Sequence, residues 1–210
     1  MGPAHFTDLL SFIKKTSLYG EIREDYLFSC YYVATQLAQF STIIEIGCYG
    51  GDSTLALALG AKETNSHVYT IDPVFISGSI IVKDEHNKDG NTYEAGLDHT
   101  AKRFQDAGLA DYITIVPDFS EHYQSVWDKG SIHLLLVDGE HTYGAIQQDC
   151  RWMEHMPVGG LAAFDDWFKE IEQSVKDYVR DKQEWVFLHE STMGHLVNGF
   201  NLTVLQKVAL

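Results

Sequence analysis

The sequence predicts an α/β fold: a doubly wound, mostly parallel seven-stranded sheet that closes with an antiparallel C-terminal hairpin. Two observations carry this expectation. Short apolar runs alternate with amphipathic helical segments along the chain, which is the pattern of βαβ units. The run Ile132–Val137 is apolar without interruption, as expected of a central parallel strand covered on both faces.

The elements follow in order. A helical extension occupies the N-terminus through Phe40, and the first strand is Thr42–Gly47 (TIIEIG). A helical pattern over Ser53–Ala61 leads to the second strand, His67–Asp72 (HVYTID). The stretch Pro73–Thr92 is polar, and a connection this long in a compact domain is usually functional. Because it follows the second strand, it reads as a lid over the ligand face, or else as a solvated insertion. Helical periodicity resumes over Tyr93–Ala107, followed by a strand at Tyr112–Val116 and the central strand Ile132–Asp138. Helices over Thr142–His155 and Phe168–Lys182 flank a strand at Gly160–Phe164. The last strands, Trp185–His189 and Phe200–Lys207, are joined without a clear helix, so they are expected to pair antiparallel. No repeat, linker or composition break interrupts this order, and residues 1–210 read as one domain.

Composition narrows the function. Hydrophobic residues make up 45% of the 210 positions, enough for a full core without disulfides or a structural metal. Fifteen basic against 30 acidic residues give a formal charge of -15, which repels phosphate backbones and anionic lipid headgroups. Nucleic-acid and membrane partners are therefore not expected. Cys30, Cys48 and Cys150 are widely spaced and odd in number, so they read as buried thiols of a reducing compartment. No apolar run approaches a membrane span or the core of a signal peptide, which points to a cytoplasmic protein.

Two ends of one crevice carry chemistry. At the first, Glu45-Ile46-Gly47-Cys48-Tyr49-Gly50-Gly51 closes a strand and opens a helix at Asp52-Ser53-Thr54. Glycines there let the backbone turn sharply and a ligand approach it, while the helix N-terminus offers free N–H groups. Asp72, at the end of the next strand, can take both ribose hydroxyls of an adenosine ligand.

EIGCYGGDST followed by VYTIDP resembles motifs I and II of the class I S-adenosylmethionine-dependent methyltransferases, particularly the small catechol-type O-methyltransferases. The resemblance implies a Rossmann-like sheet, with Gly47 and Gly51 at the methionine end of the cofactor and Asp72 on its ribose. Ser53 would face the amino-acid moiety, and Glu45 would support the turn. In the family, the end of the third strand contacts adenine, a role that would fall to Asp118 and Phe119. Asp118 is equally readable as a helix N-cap.

At the other end, Val137-Asp138-Gly139-Glu140-His141 closes the central strand, and Asp165-Asp166-Trp167 closes the next. Carboxyl ends of neighbouring parallel strands lie side by side, so Asp138, Asp165 and Asp166 are expected to converge. Three carboxylates together are costly unless a cation offsets them, and hard oxygen ligands suit Mg²⁺ or Ca²⁺, with Mg²⁺ favoured where substrate completes an octahedron. Helix capping, or pairing with backbone amides, is the plainer alternative for Asp138 and Asp165. A DGxH-type strand end with a later GG…DD pair is similar to metal-dependent O-methyltransferases acting on catechols and macrolide sugars. In the catechol type the last ligand is usually Asn, so Asp166 departs from that pattern.

His141 stands three residues beyond Asp138, where catechol-type relatives place a catalytic Lys. An alcohol attacks a sulfonium poorly while it keeps its proton, and imidazole, with a pKa near ~6.5, can accept that proton. His141 is also readable as a metal ligand or as a plain helix-start residue. His133 reads as a satisfied strand residue, Trp167 as a wall of the acceptor pocket or as core, and His195 and Asn198 as substrate contacts or as plain surface-loop residues. The resulting expectation is an O-methyltransferase acting on a small-molecule hydroxyl of a sugar or polyphenol type. Its cofactors would be S-adenosylmethionine and Mg²⁺, and a homodimer is a state common among catechol-type relatives. A nicotinamide-dependent oxidoreductase shares the glycine turn, but it calls for GxGxxG spacing and gives no reason for the acidic cluster. A non-catalytic cofactor-binding module, or a relative turned to other chemistry like the cephalosporin hydroxylase-like proteins, completes the alternatives.

Overall fold

A computed structural model describes residues 5–17, 22–73, 81–82, 93–94, 97–190 and 202–210. Two helices, α1 (Phe6–Thr16) and α2 (Glu24–Thr35), precede the sheet. Then come β1 (Thr42–Ile46), α3 (Asp52–Glu63), β2 (His67–Ile71) and a short antiparallel pair of β3 (Ile81–Val82) with β4 (Tyr93–Glu94). The chain continues through α4 (Leu97–Asp106), β5 (Ile113–Val116), α5 (Ser120–Ser125), β6 (Leu134–Val137) and α6 (Tyr143–Asp149). It closes with β7 (Leu161–Phe164), α7 (Lys169–Val179), β8 (Trp185–His189) and β9 (Thr203–Lys207).

The seven long strands form one sheet in the order β5-β2-β1-β6-β7-β9-β8. Pairings from β5 through β7 are parallel, and β9 runs antiparallel to both β7 and β8. This is the doubly wound sheet with an antiparallel C-terminal hairpin that the alternation of elements predicts. One expectation needs correction. The helix anticipated from Tyr93 begins at Leu97, because Tyr93–Glu94 pairs with Ile81–Val82 as strand. The segment after Asp149 also tightens from α-helix into a 3₁₀ turn over Cys150–His155. The anticipated lid over residues 73–92 lies largely outside the described residues, as do His195 and Asn198.

Successive strand residues point to opposite faces, and β1 shows the division. Ile43 joins a core with α1–α4, whereas Ile44 and Ile46 join another with α6, α7, Trp152 and Trp167. All four residues of β6 are buried. The three cysteines are buried free thiols. Among the described residues no helix is long and apolar enough to cross a membrane.

The sheet reverses its winding between β1 and β6. Strands β2 and β5 follow β1 outward on one side, and β6 and β7 follow on the other. The carboxyl ends of these strands therefore splay apart around a crevice, which is where ligands bind in open α/β sheets.

Candidate active site

A cavity of about 940 Å³ occupies that crevice. Its wall runs from Phe119, Ser120 and Glu121 past Asp72 and Gly47-Cys48-Tyr49 to Asp138, Asp165, Arg23 and Tyr26. It thus spans the ends of five parallel strands.

Gly47 leaves β1 with φ +89°, and a Cβ there would run into the backbone of Asp138 across the seam. Only glycine lets β1 and β6 close to this distance at that angle. Tyr49, with φ +46°, holds a left-handed conformation without being glycine, so the turn stores backbone strain beside the cavity. Asp72 stabilises the turn: one oxygen accepts from the backbone N–H of Cys48 at 2.9 Å and of Tyr49 at 2.8 Å. Its carboxylate is buried in the cavity wall between β2 and the glycine turn.

Gly51 takes φ +84° against the ring of Phe104, which sits 2.5 Å from where a Cβ would stand. Ser53 is buried in the first turn of α3 and lines the cavity. Glu45 lies beneath the turn, fully buried, and accepts from the Thr54 hydroxyl at 2.5 Å. Its second oxygen is buried without a hydrogen-bond partner. Burial pushes its carboxyl up to about 7, against the pull of the Ser53, Thr54 and Thr70 hydroxyls.

The adenine-side candidates separate. Phe119 is 54% exposed and forms cavity wall. Asp118 accepts from its neighbour's N–H at 2.8 Å and pairs with His122 at 2.7 Å, and it is not among the lining residues. A different acid, Asp149 of α6, lines the cavity there, and burial raises its carboxyl to about 6. It was not anticipated from sequence.

At the far end, Asp138, His141 and Asp166 come together. One donor atom from each lies within 4.8 Å of the others. Imidazole Nε2 stands 3.8 Å from Asp138 and Nδ1 stands 3.8 Å from Asp166. Facing Asp138, and then Asp166 and Asp165, raises the His141 pKa above its ordinary value despite partial burial. Nε2 is buried with no hydrogen-bond partner. Asp166 reaches this position because its backbone is left-handed, φ +47°, and this turns consecutive carboxylates in different directions.

Asp165 turns the other way. Its side chain is 1% exposed and accepts a fork of two hydrogen bonds from Arg23, at 2.8 and 2.9 Å. Burial and Asp138 push the Asp165 carboxyl upward while Arg23 opposes them; the two-pronged contact requires the ionised carboxylate. Tyr26, one turn on in α2, donates its hydroxyl to Asp138 at 2.5 Å. Neither Arg23 nor Tyr26 carries a local sequence signal, because both come from the helical extension.

The remaining candidates are structural. His133 Nδ1 accepts the backbone N–H of Thr42 at 3.1 Å. Trp167 packs edge-on against Phe187 in the core and is not part of the cavity wall.

A sheet of this order, with a glycine turn and an acidic strand end facing a cavity at the switch point, is the architecture of a domain that binds an adenosine-containing cofactor. The profile of a family described as Methyltransferase domain matches residues 44–167, from β1 through the acidic pair. The chain belongs to that family. Similar solved structures include the O-methyltransferase TomG of Streptomyces achromogenes, in complex with S-adenosylmethionine. It is 15% identical with a TM-score of 0.61, over 100% of this chain and 92% of that one. The O-methyltransferase of Bacillus cereus, in complex with S-adenosylhomocysteine, is 15% identical over 99% and 92%, with a TM-score of 0.62. An rRNA methylase of Streptococcus thermophilus is 15% identical over 85% and 94%, with a TM-score of 0.56. At these identities the likeness concerns the fold.

Proposed function

We propose that the protein is an S-adenosylmethionine-dependent O-methyltransferase, assisted by a divalent metal and acting on a hydroxyl of a small molecule. One observation carries this reading. A single cavity is lined by the glycine turn and Asp72 at one end and by Asp138 at the other, and Asp138 belongs to the Asp138–His141–Asp166 cluster. The solved relatives that hold S-adenosylmethionine or its product support the choice of cofactor. The formal charge of -15 favours a small acceptor over RNA, despite the rRNA methylase among the similar folds.

The residues fit a divalent metal. Two carboxylates and an imidazole within 4.8 Å form a mixed O/N set, and the unpartnered Nε2 is a donor atom without a use in the described structure. When bound, S-adenosylmethionine supplies the electrophilic methyl carbon and the metal lowers the pKa of the acceptor hydroxyl. Gly47 and Asp72 shape the floor on which the adenosine and methionine parts lie. Asp138 and Asp166 would hold the metal and orient the acceptor oxygen. His141 either completes the ligand set or takes the acceptor's proton. Tyr26 fixes the Asp138 carboxylate.

Thermal shift with S-adenosylmethionine, S-adenosylhomocysteine and NAD tests the cofactor. Stabilisation by the first two is expected, and stabilisation by NAD alone would refute the assignment. Methyl transfer to a panel of catechols and sugars, with and without EDTA, tests the metal. Chelation or Asp166→Ala is expected to abolish turnover while S-adenosylhomocysteine binding survives; full turnover in excess EDTA contradicts the metal role.

A further inference from the structure

Asp138, Asp165 and Asp166 bring three negative charges to one corner, and α2 meets them with one positive charge. Arg23 donates Nη1 and Nη2 to the two oxygens of Asp165, at 2.8 and 2.9 Å, and Nη1 also reaches Asp166 at 3.3 Å. The guanidinium lies 4.7 Å over the ring of Tyr26, whose hydroxyl holds Asp138. Burial works against the Arg23 charge, but Asp165, Asp166 and Tyr26 together keep it firmly protonated. One turn of an N-terminal helix therefore touches every carboxylate of the cluster.

This contact divides the carboxylates into two kinds. Asp165 is almost fully enclosed, and both its oxygens are engaged by the guanidinium. Asp138 and Asp166 remain 24% and 41% exposed and face His141. Charge balance gives the division meaning. With Arg23 in place the cluster carries two net negative charges, which one divalent cation neutralises. Without Arg23 the buried Asp165 loses the charge that opposes its protonation, and a hard cation that takes the place of the guanidinium gains another anionic oxygen ligand. A planar fork is also the cationic group best matched to a carboxylate, so the pairing is directional.

We infer that Arg23 is a built-in counter-cation that holds Asp165 out of the ligand set, restricting the divalent-metal site to Asp138, His141 and Asp166 and weakening it. This rests on the metal-assisted reading above. Arg23 is a positioning residue, acting through Asp165. If it only tethered the helix, its loss would leave metal affinity the same or worse. As a counter-cation, its loss tightens metal binding.

The test is Mn²⁺ affinity of the full chain, read by electron paramagnetic resonance without cofactor or acceptor. Arg23→Gln is expected to tighten Mn²⁺ at least about tenfold, from the loss of a unit positive charge a few ångströms away. Arg23→Gln with Asp165→Asn should return affinity close to the wild type. Arg23→Gln alone should lower Tm in the metal-free protein, with Mn²⁺ restoring it. Unchanged or weaker Mn²⁺ binding by a folded Arg23→Gln protein overturns the inference while leaving the metal-assisted reading intact. Mn²⁺ binding by neither the wild type nor any variant at millimolar concentration overturns both. Should Arg23→Gln fail to fold, Arg23→Met removes the same charge on an apolar stem: tighter Mn²⁺ supports the inference and unchanged or weaker binding overturns it.

Discussion

Glu45 and His141 are the residues whose protons matter most. Glu45 has a folded pKa of about 7 against an ordinary 4.5, so the folded state favours the protonated form. Its contribution to stability is therefore fully present below about 4.5 and is lost as pH rises through about 7. Glu45→Gln, which still accepts from Thr54, is expected to stabilise the ligand-free protein by on the order of 2 kcal/mol at pH 8. That gain should vanish by pH 4.5, and chemical denaturation at several pH values measures it. His141→Ala is expected to lower kcat by roughly 10²–10³ while S-adenosylhomocysteine affinity stays within a few-fold. If His141 is the base, wild-type kcat rises with pH as the imidazole loses its proton, and the variant loses that limb. A parallel fall in Mn²⁺ affinity would make it a ligand instead. The glycines, Asp72, Asp138 and His141 could be found in the sequence because each sits at a strand end. Arg23 and Tyr26 could not, because they reach their carboxylates from 142 and 112 residues away. Asp149 lies inside a helical pattern, where an acid looks like a solvated face.

At the scale of elements, the closeness of β1 and β6 depends on one backbone turn. Gly47→Ala would push a methyl into the Asp138 backbone at a positive φ, where it has nowhere to go. The expected cost is about 2–4 kcal/mol with loss of S-adenosylhomocysteine binding, read by Tm and calorimetry. A substitution tolerated without either change would mean the seam is looser than its geometry indicates. The helix α3 is anchored by a second device: Arg103 of α4 pairs with Asp52 at 2.5 Å, donates to the Gly50 carbonyl, and lies 3.4 Å from Thr16 of α1. The strands were readable from sequence because burial on both faces leaves a continuous apolar record, as in β6. Short elements were not. α5 has six residues, too few for periodicity, and β4 lies in a stretch whose local pattern favours helix until β3 pairs with it.

For the whole molecule, the dominant quantity is charge. Thirty acidic residues against 15 basic repel one another in the compact state. Raising NaCl from about 10 to 200 mM shortens the Debye length from ~30 Å toward ~8 Å, so Tm should rise by a few degrees. A falling Tm would show that attractive pairs such as Arg23–Asp165 outweigh the net repulsion. That pair also has a consequence in time. During synthesis α2 leaves the ribosome long before Asp138 and Asp165 exist, and it must wait with its arginine and tyrosine unmatched until β6 and β7 have been made and joined. Contacts of such long range form late. In refolding, the far-ultraviolet signal of the helices should recover before the protein regains its Mn²⁺ site. Helix α2, among the first elements to be made, would be among the last to reach its working position.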